Sequence, residues 1–268
     1  MPTNKLTFVL LTAFFVLFIL FLYGPMIAIF ILSFQGVTGG MTFPLRGVSL
    51  HWFADLFESS RYGDLGGAFK RSVVLGLLAM AITVTVTFFA GLGFRRRFCG
   101  SGALFYLAIV SLVMPGVLTG LGIGTLFQTL GLRSHWLISG LGAHLTWTLP
   151  FGLLIMFAVL NRFNSSWEEA ARDAGAGPWQ VLTLVTLPIL FPGLIAVALF
   201  GLTLSYDEFP RSLLTVGTRN TLPIQIASLT TNVTTPALYA IGTLTTALSL
   251  IVIALAFAGM AISGRKHR

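Results

Sequence analysis

Charge spacing constrains this 268-residue chain before any other property does. Its 16 Lys/Arg and 8 Asp/Glu leave six long uncharged runs, at residues 6–45, 72–94, 98–132, 134–161, 174–206 and 220–264. A helix needs about 20 largely apolar residues to cross a bilayer core, and every run is long enough. Hydrophobic residues make up 56% of the chain and charged residues only 9%, against roughly 25% charged in a soluble domain. Such a chain cannot clothe a globule in water. The runs predict six spans, near Leu6 to Phe34, Ser72 to Gly93, Ala103 to Leu130, Leu137 to Leu160, Leu187 to Tyr206 and Ala237 to Ile262. They are apolar on every face, without the alternation of barrel strands. The expected fold class is an all-α membrane protein of six transmembrane helices, a single transmembrane domain over residues 1–268.

The net charge of +8 does not indicate nucleic acid, because the basic residues sit at the ends of apolar runs and nowhere cluster among stacking aromatics. It reads better as orientation and contact with membrane lipid. With six spans both termini share a side. The segments on that side hold nine Lys/Arg: Lys5, Arg95, Arg96, Arg97, Arg162, Arg172, Arg265, Lys266 and Arg268. The opposite side holds seven in a longer stretch of chain, so the positive-inside bias places both termini in the cytoplasm. The single cysteine, Cys99, excludes an internal disulfide and a CxxC site. The apolar run after Lys5 exceeds a signal-peptide core and should stay as an anchor. His51, His135 and His267 are dispersed, and no metal site is expected.

Two segments face outward in this topology, 35–71, with an expected short interfacial helix over Ser49 to Phe57, and the Thr-rich 207–236. One sizeable segment, 161–186, faces inward, and its local signals agree. Ser165 and Ser166 stand three residues before Glu168 and Glu169, the spacing of a capping box that starts a helix. Gly175 is placed to end that helix in the left-handed conformation. Pro178 suits the first turn of a second helix, which continues through Leu187-Pro188 into the fifth span. A two-turn helix is marginal alone in water, so it should need a partner surface. Ala170 and Ala171 permit close approach, and Glu168, Glu169, Arg172 and Asp173 supply charge. The plainer reading is an inter-span loop capped for its own stability.

The segment Glu169-Ala170-Ala171, three residues, Gly175, nine residues, Val185-Thr186-Leu187-Pro188 resembles the EAA motif of ABC-importer permease subunits, departing only in Val185 for Ile. The resemblance implies a type I importer fold in which this stretch is a coupling helix docking onto a separate ATPase. It makes Glu168, Glu169, Ala170, Ala171, Gly175, Leu187 and Pro188 the ATPase-coupling residues. The chain contains no Gly-x4-Gly-Lys-Ser/Thr loop to cradle phosphates, so it is not itself expected to be an enzyme. ATP and Mg would be bound by the partner ATPase dimer, and this chain carries no cofactor. The implied partners are a second homologous permease, a periplasmic substrate-binding protein and a small-molecule substrate; the implied place is the bacterial inner membrane.

The stretches Met114-Pro115-Gly116-Val117-Leu118-Thr119-Gly120 and Leu202 to Phe209, with Thr221-Leu222-Pro223-Ile224 and Thr235-Pro236-Ala237-Leu238, are similar to the spermidine/putrescine branch, specifically its second permease subunit. A cation in the pathway would want carboxylates beside an aromatic face, and Asp207 and Glu208 at the end of a span sit between Tyr206 and Phe209. The resemblance ties Ser205, Tyr206, Asp207 and Glu208 to the substrate pathway. The structural alternative is that the acids mark the water interface and pair with Arg211. That branch often carries an acid where Gly116 stands, which brings in an amino-acid derivative or an aminophosphonate as competing cargo. Pro115, Gly116, Gly120, Gly122 and Gly124 read as a kink and a close-packing face for a neighbouring helix. His144 reads as an interhelical hydrogen-bonding residue ahead of a proton relay. An ion-coupled secondary transporter would place an acid mid-membrane, and none lies inside these spans.

Overall fold

The computed structural model describes residues 5–58, 62–96, 98–232 and 234–265. Arg97, Lys266 and Arg268, counted in the charge bias, and His267 lie outside the described residues. The helices in chain order are α1 (Lys5–Leu32), α2 (His51–Glu58), α3 (Leu65–Phe94), α4 (Ser101–Val113), α5 (Gly116–Thr129), α6 (Leu141–Leu160), α7 (Ser166–Asp173), α8 (Pro178–Gln180), α9 (Leu187–Tyr206), α10 (Leu222–Asn232) and α11 (Ala237–Arg265). Among the described residues the only extended pairing is one isolated bridge between Gln35 and Val48. Among the described residues five stretches are long and apolar enough to cross a membrane, Lys5–Leu32, Leu65–Phe94, Trp136–Leu160, Pro178–Tyr206 and Ala237–Ala254, and the bent pair Ser101–Val113 with Gly116–Thr129 makes a sixth if it is one span.

The expected span over Ala103 to Leu130, with its expected kink at Pro115, is two helices, α4 and α5, bent by 106° at Met114-Pro115. Met114 is extended, at φ −66° and ψ 128°, because the ring of Pro115 crowds the residue before it out of the helical region. Proline also supplies no N–H to carry the α4 ladder onward. The expected neighbour of the glycine face differs too. A Cβ on Gly120 would stand 2.8 Å from the Arg211 carbonyl oxygen, and one on Gly124 would stand 2.9 Å from that of Leu214. The stripe therefore seats the loop after α9 rather than another spanning helix, while Gly122 faces open space.

Contacts divide the chain into two compact units, Met1–Leu65 with Ile226–Leu250, and Gly66–Gln225 with Ile251–Arg268. In the first unit α1 buries only Leu32, and the buried Gln35 organises the turn that follows. Its amide donates to the Gly40 and Thr42 carbonyls and accepts from Arg46 N, while Trp52 Nε1 on α2 donates to its backbone oxygen. The helix expected over Ser49 to Phe57 is α2, amphipathic, with Trp52 and Leu56 inward. Tyr239 of α11 donates to the Met41 carbonyl.

The second unit is centred on α6 and α9 with α3 beside them. Phe88, Met156, Leu160, Leu190, Leu194 and Val197 form its apolar core. Gly152 lets α6 approach closely, since a Cβ there would meet the Thr83 and Thr87 methyls at 2.7 and 2.8 Å. Thr83 and Thr148 share a 3.0 Å hydrogen bond across the same contact. α8 runs into α9 through one wide π-helical stretch, Val181–Thr186, just before Pro188. A proline that cannot donate is accommodated by such a local change of ladder.

Candidate functional site: the coupling segment and the far end of the fifth span

α7 starts without the expected capping box. Ser165 makes no side-chain cap; Asn164 Oδ1 instead accepts from Ser166 N at 3.0 Å. Glu168 is engaged elsewhere and cannot reach back. The helix ends as its sequence predicts. Gly175 has φ 88°, with Gly175 N donating to the Arg172 carbonyl and Ala176 N to that of Ala171, the paired bonds of a Schellman motif. Pro178 opens the next helix, and the Gln180 side chain accepts from Gly177 N at 2.8 Å.

The two adjacent glutamates point opposite ways. Glu168 is buried; its carboxylate accepts from Arg95 Nη1 at 2.8 Å, Arg95 Nη2 at 3.1 Å and Thr186 Oγ1 at 2.7 Å. The Arg95 guanidinium also lies 4.9 Å from the centroid of Phe163. One carboxylate thus ties α7 to the residue after α3 and to the π-helical entry of α9. The hydrogen bonds from Arg95 hold the Glu168 carboxyl below its ordinary value, with burial opposing and Thr186 assisting. Glu169, Ala170 and Gly175 are exposed, Ala171 and Leu187 half-buried and Pro188 exposed. A cavity of about 600 Å³ opens beside the tie, lined in part by Arg95, Arg96, Glu168, Arg172 and Thr186. Neither Arg95 nor Thr186 stood out in the sequence, since no local spacing links them to Glu168.

At the other end of α9 the four pathway candidates are separated. Asp207 is exposed, while Ser205, Tyr206 and Glu208 are buried. Glu208 accepts from Arg211 N at 2.7 Å and from Arg211 Nη1 at 3.3 Å, so the pairing with Arg211 holds for Glu208 and does not include Asp207. Burial pushes the Glu208 carboxyl above its ordinary value against the pull of Arg211. The Arg211 guanidinium stacks 4.7 Å from the centroid of Trp147.

His144 joins α6 to this loop. Its Nδ1 is 2.7 Å from Ser205 Oγ and its Nε2 is 2.8 Å from Ser212 Oγ. Ser212 Oγ donates to the Glu208 carbonyl, so it accepts from Nε2–H, which leaves Nδ1 to accept from Ser205. Every polar atom of the imidazole is thereby used in an interhelical tie. Among the described residues no group of three or more His, Cys, Asp or Glu is placed to hold a metal.

Over 251 residues the chain is 29% identical to the spermidine/putrescine transport system permease protein PotC of Haemophilus influenzae, covering 92% of this chain and 95% of that one. It is 29% identical over 235 residues to the putrescine transport system permease protein PotI of Escherichia coli, covering 84% and 81%. Two solved structures share its fold. A chain of a bacterial ABC transporter involved in alginate import has TM-score 0.65 at 16% identity, covering 97% of each chain. A chain of the alginate transporter bound to its periplasmic protein has TM-score 0.69 at 17% identity, covering 97% of this chain and 94% of that one. The family of binding-protein-dependent transport system inner membrane components matches residues 83–266. With more than half its length inside that match and an all-helical multi-pass architecture around it, the chain belongs to this family of inner-membrane transport permeases.

Proposed function

We propose that this chain is the permease subunit of an ATP-driven importer of polyamines such as spermidine and putrescine, with both termini in the cytoplasm. A second homologous permease would complete the pathway, an ATPase dimer would drive α7, and a periplasmic binding protein would deliver cargo. The observation that carries the coupling role is the division of labour between the two glutamates: Glu168 is spent inside the chain, and Glu169 with Ala170 is left outward. A push on α7 would be transmitted through Glu168 to α3 and α9 at once, a rigid tilt rather than a local bend. The cargo reading rests on the likeness to PotC and PotI and on the exposed Asp207 beside Tyr206.

The test is uptake of labelled spermidine by the assembled importer in membrane vesicles. Glu169→Lys or Gly175→Val should abolish uptake while the chain still inserts; undiminished uptake would refute the coupling role. A cargo with fewer positive charges, an amino-acid derivative or aminophosphonate, is favoured by one observation, the neutralisation of Glu208 by Arg211. Competition for uptake by such compounds, set against competition by spermidine, separates the two.

A further inference from the structure

We propose that Trp147 and Glu208 form an organic-cation site that the protein's own Arg211 occupies, and that an incoming ammonium group enters by displacing that side chain. The inference rests on the polyamine reading for the identity of the natural ligand. An aromatic face and a carboxylate on one cation are the two elements by which proteins hold organic ammonium groups. Here they stand 4.7 Å and 3.3 Å from the two parts of one guanidinium.

Arg211 fits this site imperfectly. A guanidinium is best matched by two parallel bonds to a carboxylate, yet only Nη1 reaches Glu208, because the other carboxylate oxygen is taken by Arg211's own backbone N–H at 2.7 Å. Arg211 Nε is buried with no hydrogen-bond partner. A buried donor left unmade is unfavourable, and a compact ammonium brings fewer donors to satisfy.

The side chain can leave without unravelling the loop. Glu208 keeps its bond to the backbone of Arg211 whatever that side chain does. Ser212 Oγ donates to the Glu208 carbonyl, Thr215 Oγ1 to the Arg211 carbonyl, and Ser139 Oγ to the Thr215 carbonyl. The side chain also lies against the start of α5. A Cβ on Gly116 would stand 3.1 Å from Arg211 Nη1, so glycine there makes room for the occupant. Displacement would therefore be felt at the 106° break between α4 and α5, joining cargo entry to a sharply bent element of this unit. Asp207, exposed next to the site, supplies charge to gather a cation.

The full chain in lipid nanodiscs, followed by tryptophan fluorescence during heating, tests this. Arg211→Gln empties the site and should lower the unfolding midpoint. Millimolar putrescine or methylguanidinium should then restore about 2–4 °C, and uncharged butanediol should restore nothing. Adding Trp147→Leu should abolish the restoration. A folded R211Q protein that ignores both cations, or a restoration that survives Trp147→Leu, overturns the proposal. The arginine-containing protein gives an independent reading that holds even if R211Q does not fold. Saturating putrescine should change the emission of Trp147, read as the difference between the parent and Trp147→Leu, as Arg211 leaves the ring; an unchanged difference overturns the site. Restoration by methylguanidinium does not depend on which amine is imported. A chain that takes up no polyamine would therefore lose the cargo reading and keep the site, whereas uptake without restoration removes the site alone.

Discussion

Two glutamate–arginine pairs lie at opposite ends of the α6–α9 pair, and they differ in what they connect. Glu168 and Arg95 are 73 residues apart and join separate elements, with side-chain exposures of 11% and 27%. Glu208 and Arg211 are three residues apart inside one loop, with exposures of 1% and 6%. The first pair is geometrically good, two nitrogens on two oxygens, and is still reached by water. The second is drier and poorer, with one long bond and an idle Nε. Burial raises the penalty for a lost partner, and geometry decides how much the intact pair returns. Under the proposed coupling role Glu168 would be the mechanical tie that transmits displacement, and under the proposed cation site Glu208 and Arg211 would be the contact that is exchanged.

Breaking the drier pair should have the largest effect. Glu208→Ala strands a buried guanidinium and should destabilise the chain by about 3–5 kcal/mol, read as a fall in unfolding midpoint. Glu168→Ala should be milder, about 1–3 kcal/mol, because Arg95 can turn to solvent, but it should reduce uptake out of proportion to its effect on stability. Equal destabilisation by the two, or uptake that only tracks stability, would erase the contrast drawn here. Gly175→Ala should follow at roughly 1–2 kcal/mol, since a Cβ at φ 88° is strained, and its effect on uptake measures how much the exit angle of α7 matters.

The smallest effect, and the one that separates the ends by sign, is pH dependence. The folded carboxyl of Glu168 is lowered, so its contribution is present above the unfolded value near 4.5 and is lost as pH falls through the folded one. That of Glu208 is raised, so its contribution is full below the unfolded value and is lost as pH rises through the folded one. Midpoints of Glu168→Gln and Glu208→Gln, each subtracted from the parent across an acid titration, should slope in opposite directions. Parallel slopes would mean that both carboxylates sense the same environment.

Local chemistry was legible where one residue type answers to one geometry. Gly175 takes the left-handed turn its place demands, Pro178 opens a helix, and α2 forms where the sequence expects it. The capping box failed because Asn164, one residue upstream, offered a competing acceptor to Ser166 N. Pro115 was visible as a kink, but not as a 106° fold. Both flanking segments are apolar throughout, so hydropathy does not register an angle between them. The candidates Ser205 to Glu208 were adjacent in sequence, yet the end of α9 turns one carboxylate outward and the next inward.

The sequence by itself determined that the chain lives in a bilayer, where its apolar segments fall and that short helices stand apart from them near His51–Glu58 and Ser166–Asp173, because uncharged run length and turn chemistry are properties of neighbouring residues. Only the tertiary structure decided which glutamate is tied inward, that Thr186 and Arg95 hold it, and that Arg211 rests on Trp147. Those pairings are made between side chains brought together by packing across α3, α6 and α9. Their energies depend on how much water the packing leaves, which no linear spacing encodes.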